Sequence, residues 1–236
     1  MGTLGSPNPA RLEVPTPPGY LRAVPPAAIL SPTWKRGLDI GLIVLSLPVV
    51  LPVSLAIALL IRVVSRGPIL FRQERVGLQG RPFMCYKFRS MHTDADTKVH
   101  EGHLEKLMKS GKPMVKMDSH GDPRVIPCGA VLRAAGLDEI PQLLNVLRGE
   151  MSLVGPRPCL PFEAKQYQPW QHERFHTLPG LTGLWQVSGK NRTTFEEMIA
   201  LDIAYARSKN PWLDLKIMLL TPAALWVQLR EKLRRR

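Results

Sequence analysis

The residues best placed for chemistry lie in one stretch, LDEIPQLLNVLRGEMSLVGPRP, from Leu137 to Pro158. Asp138 and Glu139 are adjacent carboxylates at the start of an apolar pattern, Leu137, Ile140, Leu144 and Leu147, that recurs at helical spacing. Gly149 stands where a helix would stop, and Pro141 is tolerated only in a first turn, so the helix is expected to begin close to Asp138. Downstream, Arg157 sits between Pro156 and Pro158 on a stiff backbone, able to grip a phosphate with both arms of its guanidinium. An ionised aspartate can attack phosphorus to form an acyl-phosphate. Neighbouring residues on a helix diverge, so Asp138 and Glu139 suit two different roles, a nucleophile and a metal ligand, better than one shared proton. Magnesium, which prefers one or two carboxylates plus substrate phosphates, fits such a pair. The same positions also suit plain helix architecture, with Asp138 as N-cap and Glu139 complementing the helix dipole, and position alone favours that simpler reading. There is no Walker loop to point to ATP.

These residues must be held by a body of 236 residues, enough for one ordinary domain and an appendage. The formal net charge of +13 favours polyanionic partners such as phosphorylated substrates or anionic lipid. Nucleic acid is set aside, because aromatics are sparse and do not alternate with basic residues. Cys85, Cys128 and Cys159 are scattered, which argues against a disulfide framework or a zinc site. The N-terminus has no signal-peptide pattern. Residues 1–32 are proline-rich and are expected to form a flexible tail. From Ile40 to Ile61 the chain carries no charge, about the ~20 apolar residues that cross a bilayer. Pro48 and Pro52 lie in its middle, and both flanks are basic: Lys35 and Arg36 before, Arg62 and Arg66 after. Flanks of one sign give no orientation for a simple crossing. A helix that enters, breaks at the prolines and returns to the same face satisfies both facts; a kinked crossing helix and a buried helix are the alternatives.

After Gly67 two short strands are expected around a turn at Gly77 to Gly80. Residues 92–123 read as a solvated helix; His100 and His103 flank Glu101 but lack a third ligand for a metal. The segment 163–178, with Tyr167, Trp170 and Phe175 among polar residues, reads as interfacial, and 179–191 as a glycine-punctuated loop. FEEMIALDIAYARS is expected to be a helix capped by Thr193 or Thr194. The last segment, interrupted by Lys216 and Pro222, is expected to be shorter than a span and to lie in the interface with its basic tail toward headgroups.

Several of these blocks, in this order, resemble the monotopic phosphoglycosyl transferases, the short form of the bacterial sugar transferases that start glycan assembly on a polyprenol phosphate. The resemblance covers about residues 33–230 and rests on FRQERVG (71–77), YKFRSM (86–91), DPR (122–124), the 137–158 stretch, PGLTGLWQVSG (179–189) and WLDLKIM (212–218). It implies a transfer of sugar-1-phosphate from a UDP-sugar to undecaprenyl phosphate with release of UMP, through an aspartyl phospho-sugar, at the start of exopolysaccharide or O-antigen-type assembly. Asp138 matches the nucleophile and Glu139 its partner with Mg2+. Lys87, Arg133, Arg157 and Lys190 match positions that bind substrate phosphates, and Asp214 another active-site position. Pro48 matches the membrane break, although Leu47 stands where relatives often have serine, and Lys190 where they often have arginine. The implied fold is α/β: a compact catalytic domain (67–236) behind a re-entrant membrane helix (33–66), with interfacial amphipathic helices. The implied location is the cytoplasmic face of the bacterial inner membrane. Expected partners are a UDP-sugar, polyprenol phosphate and anionic membrane lipids, with a homodimer compatible and no nucleic acid. The rival from another class is a non-catalytic membrane scaffold whose Asp-Glu pair only caps a helix.

Overall fold

The computed structural model describes residues 32–92, 97–114 and 124–234, so the proline-rich tail lies outside the described residues. Helix α1, Thr33–Val64, runs without interruption through Pro48 and Pro52. A proline removes one backbone donor but need not end a helix that its surroundings hold. The structure thus carries helical backbone through the position expected to break it. One stripe of α1 faces the rest of the protein: Lys35, Asp39 and Ile43 are buried, Leu47 and Val53 pack on the core, and Ile57 and Ile61 are buried. The other faces expose Val44, Leu45, Val49, Leu51, Leu55, Leu59 and Val63.

Strands β1 (Leu70–Val76) and β2 (Pro82–Phe88) form the expected antiparallel hairpin, with Leu70 opposite Phe88 and Phe71 opposite Lys87. Helix α2 is Thr97–Ser110, and it is amphipathic rather than simply solvated: Leu104 is buried, and Leu107 and Met108 pack on the core. The side chains of His100 and Glu101 and all of Asp122 and Pro123 lie outside the described residues. Helix α3 (Gly129–Ala134) leads into a 3₁₀ helix over Leu137–Gln142, then α4 (Leu143–Arg148), which ends at Gly149 in the left-handed region (φ 79°). The stop at Gly149 is as expected, but the inward face is not. A 3₁₀ helix has three residues per turn, which turns Leu137 and Ile140 onto the core, and Leu143 and Val146 of α4 also pack inward. Leu144 and Leu147, inward by α-helical period, are 46% and 41% exposed.

Strand β3 (Ser152–Val154) pairs in parallel with β4 (Gly180–Thr182), so the stretch expected as a loop is packed structure. Glycine permits this contact, since a Cβ on Gly180 would stand 2.1 Å from the Gly155 nitrogen. Helix α5 is Pro161–Lys165, and a 3₁₀ helix covers Pro169–His176. This region is core, not interface: Tyr167 and Phe175 are buried and stack with ring centres 5.9 Å apart. Helix α6 (Leu184–Val187) precedes α7 (Phe195–Ser208), where Thr194 is the cap, accepting from the Glu197 N–H at 3.2 Å. Helix α8 is Pro211–Arg234, running through Pro222. It is longer than expected, and both α1 and α8 are long and apolar enough to cross a membrane by length and composition. The cysteines are free, with Cys85 and Cys159 buried.

Candidate active site

Strand β2 places Lys87 against the 3₁₀ helix that carries the acid pair. The Lys87 ammonium donates to Glu139 Oε1 at 2.7 Å, with both side chains partly exposed. Asp138, next to Glu139 in the chain, is only 7% exposed. Asp138 is not an N-cap. Gly136, with φ 71°, holds that place, and Asp138 is the second residue of the 3₁₀ turn. The α-helical start expected at the acids lies further on, at Leu143. The simple capping account of Asp138 therefore loses its geometric basis.

Asn145 fixes β2 at this distance from the acids. It is fully buried, donates to the Met84 carbonyl at 2.7 Å and accepts from the Tyr86 N–H at 3.1 Å, pairing the strand as a neighbouring strand would. Its amide also donates to Glu150 at 2.7 Å. Arg133 lies partly exposed in the last turn of α3, the element leading through Gly136 to Asp138. Helix α8 closes over the same place: a Cβ on Gly136 would stand 3.2 Å from Leu225. One turn beyond, Gln228 accepts from Lys190 at 3.2 Å, so Lys190 is tied to the helix that covers Gly136. Lys87, Arg133, Asp138, Glu139 and Lys190 thus belong to connected elements.

Arg157 and Asp214 are built into two other polar centres. Arg157 donates to both oxygens of the fully buried Glu163, at 3.0 and 3.4 Å, so its fork is engaged by a protein carboxylate. Burial alone would raise the Glu163 carboxyl, but the Arg157 charge and hydrogen bonds, with Arg75, hold it below its usual value. Buried Arg174 donates to the Arg157 carbonyl at 2.7 Å and to Asp202 at 2.5 Å. Arg157 and Arg174 line a small open cleft with Val76, Gly77 and Thr177. Asp214 is fully buried: Lys35 donates to its Oδ2, and Tyr205 to its Oδ1 at 2.7 Å. Asp214 therefore ties α8 to the first turn of α1.

Sequence reasoning missed Asn145, Glu163, Arg174 and Lys35. Only Glu163 left a local trace: its carboxylate accepts from the Leu160 N–H three residues earlier, the spacing of a helix-start acid.

The site thus holds a buried acid next in the chain to a lysine–glutamate pair, on a body carrying two helices long and apolar enough to cross a membrane by length and composition. The chain matches the family described as "Bacterial sugar transferase" over residues 30–228, and it belongs to that family. The resemblance read in the sequence is borne out at that level. The chain is 42% identical over 199 residues to the UDP-glucose:undecaprenyl-phosphate glucose-1-phosphate transferase of Caulobacter vibrioides, covering 81% of this chain and 69% of that protein. It is 36% identical to the exopolysaccharide production protein ExoY of Sinorhizobium fredii, over 81% of this chain and 84% of that one. With the galactosyl transferase CpsE of Streptococcus agalactiae it shares 44% identity over 66% of its own length, but spans about a third (34%) of that longer protein.

Proposed function

We propose that this chain transfers a sugar-1-phosphate from a UDP-sugar to polyprenol phosphate in two displacements on Asp138. In the first, an Asp138 carboxylate oxygen attacks the β-phosphorus, the bond from that phosphorus to the bridging oxygen breaks, and UMP leaves with the oxygen. In the second, a phosphate oxygen of polyprenol phosphate attacks the same phosphorus, and Asp138 departs as carboxylate. The product is a polyprenyl-diphosphate-sugar, the first lipid-linked unit of an exopolysaccharide or O-antigen-type glycan. The observation that carries this reading is the family match joined to the recessed Asp138 beside the Lys87–Glu139 pair. The recess suits an acyl-phosphate, which survives only where water is kept away. Lys87 orients Glu139 and offsets charge on the incoming diphosphate.

Asp138 and Glu139 are the residues that would hold Mg2+. Among the described residues no group of three or more His, Cys, Asp or Glu is gathered to hold a metal alone. That fits an ion completing its coordination with substrate phosphates. Bound there, it would neutralise developing charge on the diphosphate.

The monotopic topology belongs to the same proposal. The inward stripe of α1 contacts the catalytic body near both ends: Lys35 meets Asp214 and Tyr205, and Ile57 and Ile61 pack with Phe88, Ile126 and Leu132. A helix crossing a hydrocarbon core of ~30 Å would carry one end away from a body held on one face. These contacts support a reading in which both termini of α1 share one face of the membrane, in this proposal the cytoplasmic face of the inner membrane, with the exposed apolar faces of α1 in lipid.

The test is release of UMP from a UDP-sugar by purified protein with magnesium and polyprenol phosphate. Asp138→Asn should lose it, and full activity in that variant would overturn the assignment of the nucleophile.

A further inference from the structure

We infer that Phe71 is the residue on which the uracil base of the UDP-sugar stacks, an inference that rests on the transferase reading of Asp138, Lys87 and Glu139. Phe71 lies directly opposite Lys87 in the β1–β2 hairpin. Residues opposed in this way share one face of the sheet, with Cβ atoms about 5 Å apart. The ring therefore leaves the hairpin on the side from which Lys87 reaches Glu139.

Further along, that face is turned into the protein. The next pairs on it are Gln73 with Cys85 and Arg75 with Phe83. Cys85 and Arg75 are buried, and Phe83 packs on the cluster of Ile43, Val146 and Met151. Phe71 is 44% exposed, and its neighbours Lys87 and Glu139 have side chains 23% and 38% exposed. A lone apolar residue on a surface needs no explanation. Phe71 differs because it emerges from the inward face, at the pair where that face opens beside the acids.

The order of the elements points to the base as the occupant. Arg89 donates to the Ile69 carbonyl at 2.8 Å, so the odd-numbered residues of β2 bond to β1, and Met84 and Tyr86 turn their backbone groups to the other edge. Asn145 occupies that edge, so the acid-bearing turn flanks β2 on one side and β1 flanks it on the other. Across the hairpin the groups run acids, lysine, phenyl ring, with strands ~4.8 Å apart. An in-line displacement sends the leaving group away from the nucleophile. With the β-phosphorus at Asp138, UMP departs past Lys87, and its nucleoside lies toward Phe71. The transferred sugar stays with the phosphorus at the acids. A phenyl side chain offers no hydrogen bond, only a flat face, which suits a planar base.

The probe is UMP, which carries the base and one phosphate but not the transferred sugar, titrated by calorimetry into the full chain in detergent. Phe71→Ala should weaken UMP binding about fivefold to a hundredfold. Phe71→Tyr and Phe71→Trp keep a ring and should keep most of the affinity, whereas Phe71→Leu, apolar without a ring, should fall with Phe71→Ala. The contrast between tyrosine and leucine carries the test if the alanine variant does not fold. In turnover, Phe71→Ala should raise the KM for the UDP-sugar by a similar factor and leave the KM for polyprenol phosphate where it was. UMP affinity equal in parent, Phe71→Ala and Phe71→Leu would overturn the proposal. With UMP affinity intact, a raised KM for polyprenol phosphate would assign the ring to the prenyl chain, and a raised KM for the UDP-sugar would assign it to the sugar; both overturn it. A parent chain that binds no UMP would overturn the transferase reading itself, so the two failures are distinguishable.

Discussion

Replacing Asp214 by asparagine separates an active-site role from an architectural one. Asp214 and Lys35 are both fully buried, and Tyr205 sits between them with Lys35 Nζ 2.8 Å from its hydroxyl. Removing the carboxylate charge leaves Lys35 buried without its counter-ion, and breaking such a pair costs about 3–5 kcal/mol. Tyr205 offsets part of this. Burial first, and then the Asp214 charge, hold its phenol far above the usual range, so its proton stays on. That single proton has two acceptors within reach, Asp214 Oδ1 at 2.7 Å and the Val154 carbonyl at 3.0 Å. In the variant it turns to Val154, which places the expected loss at the low end, about 3 kcal/mol. For a chain of this size each kcal/mol moves Tm by about 2–4 °C, so Asp214→Asn should melt about 6–12 °C lower.

The assay is thermal unfolding of the purified protein in detergent, followed by tryptophan fluorescence, with kinetics measured well below the transition. The folded variant should keep a UDP-sugar KM close to that of the parent. Lys35→Met should lose stability to a similar extent, and Lys35→Met/Asp214→Asn should recover more than half of the summed losses, because no buried charge is then left alone. A Tm within 2 °C of the parent with UMP release reduced more than about a hundredfold would refute this reasoning and return Asp214 to the active site. Strictly additive losses in the double variant would refute the pairing.

Three further outcomes follow from the same structure. Asn145→Leu should leave the Met84 carbonyl and Tyr86 N–H unpaired at about 1–3 kcal/mol each, measured by denaturant unfolding, and should lower UMP release by letting Lys87 drift from Glu139; unchanged unfolding would exclude the strand-pairing role. Glu163, held below its usual carboxylate value, contributes stability that is present above its unfolded value of about 4 and is lost as pH falls through the folded one. The Tm gap between the parent and Glu163→Gln should therefore be wide at neutral pH and narrow on acidification, whereas a constant gap would show that its charge is not what matters. Cysteine reporters before Lys35 and after Arg66 should both be labelled from the cytoplasmic side only; labelling from opposite sides would establish a crossing helix.

The readings that held rest on short-range physics. The hairpin around Gly77, the Thr194 cap with Glu197, and the stop at Gly149 each depend on a few neighbouring residues. The readings that failed needed partners distant in sequence. Tyr167 and Phe175 sit among polar residues in the chain, and only the packing of α7 and α2 against them makes that region core. Arg157 reads from the sequence as a fixed residue between two prolines, and its engagement by Glu163 and Arg174 is legible only in the fold. The candidate site divides the same way. Asp138 and Glu139 stand out in the sequence as an adjacent acid pair, and Lys87 through its family motif. Asn145, which sets the spacing between Lys87 and the acids, carries no sequence signal, because its partners are backbone atoms of a strand about sixty residues away.

The buried charges suggest why a helix so apolar still reports its neighbours through polar atoms. Apolar contacts alone would let α1 slide or rotate against the body, since one valine or leucine packs much like another. Its polar attachments do not permit this. Lys35 reaches Asp214 and Tyr205, Asp39 accepts from the Leu153 N–H at 3.1 Å, and Arg36 reaches the last carbonyls of α4. At the far end Arg89 donates to the Ser65 and Arg66 carbonyls just beyond the helix, at 2.7 and 2.6 Å. Each contact fixes one rotation and one register of α1, and a slip of a single residue would leave a buried charge or a strand N–H unpaired. The apolar helix is thereby indexed to the strand and turn that carry Lys87, Asp138 and Glu139, and the position of the acids relative to α1 is set by the fold.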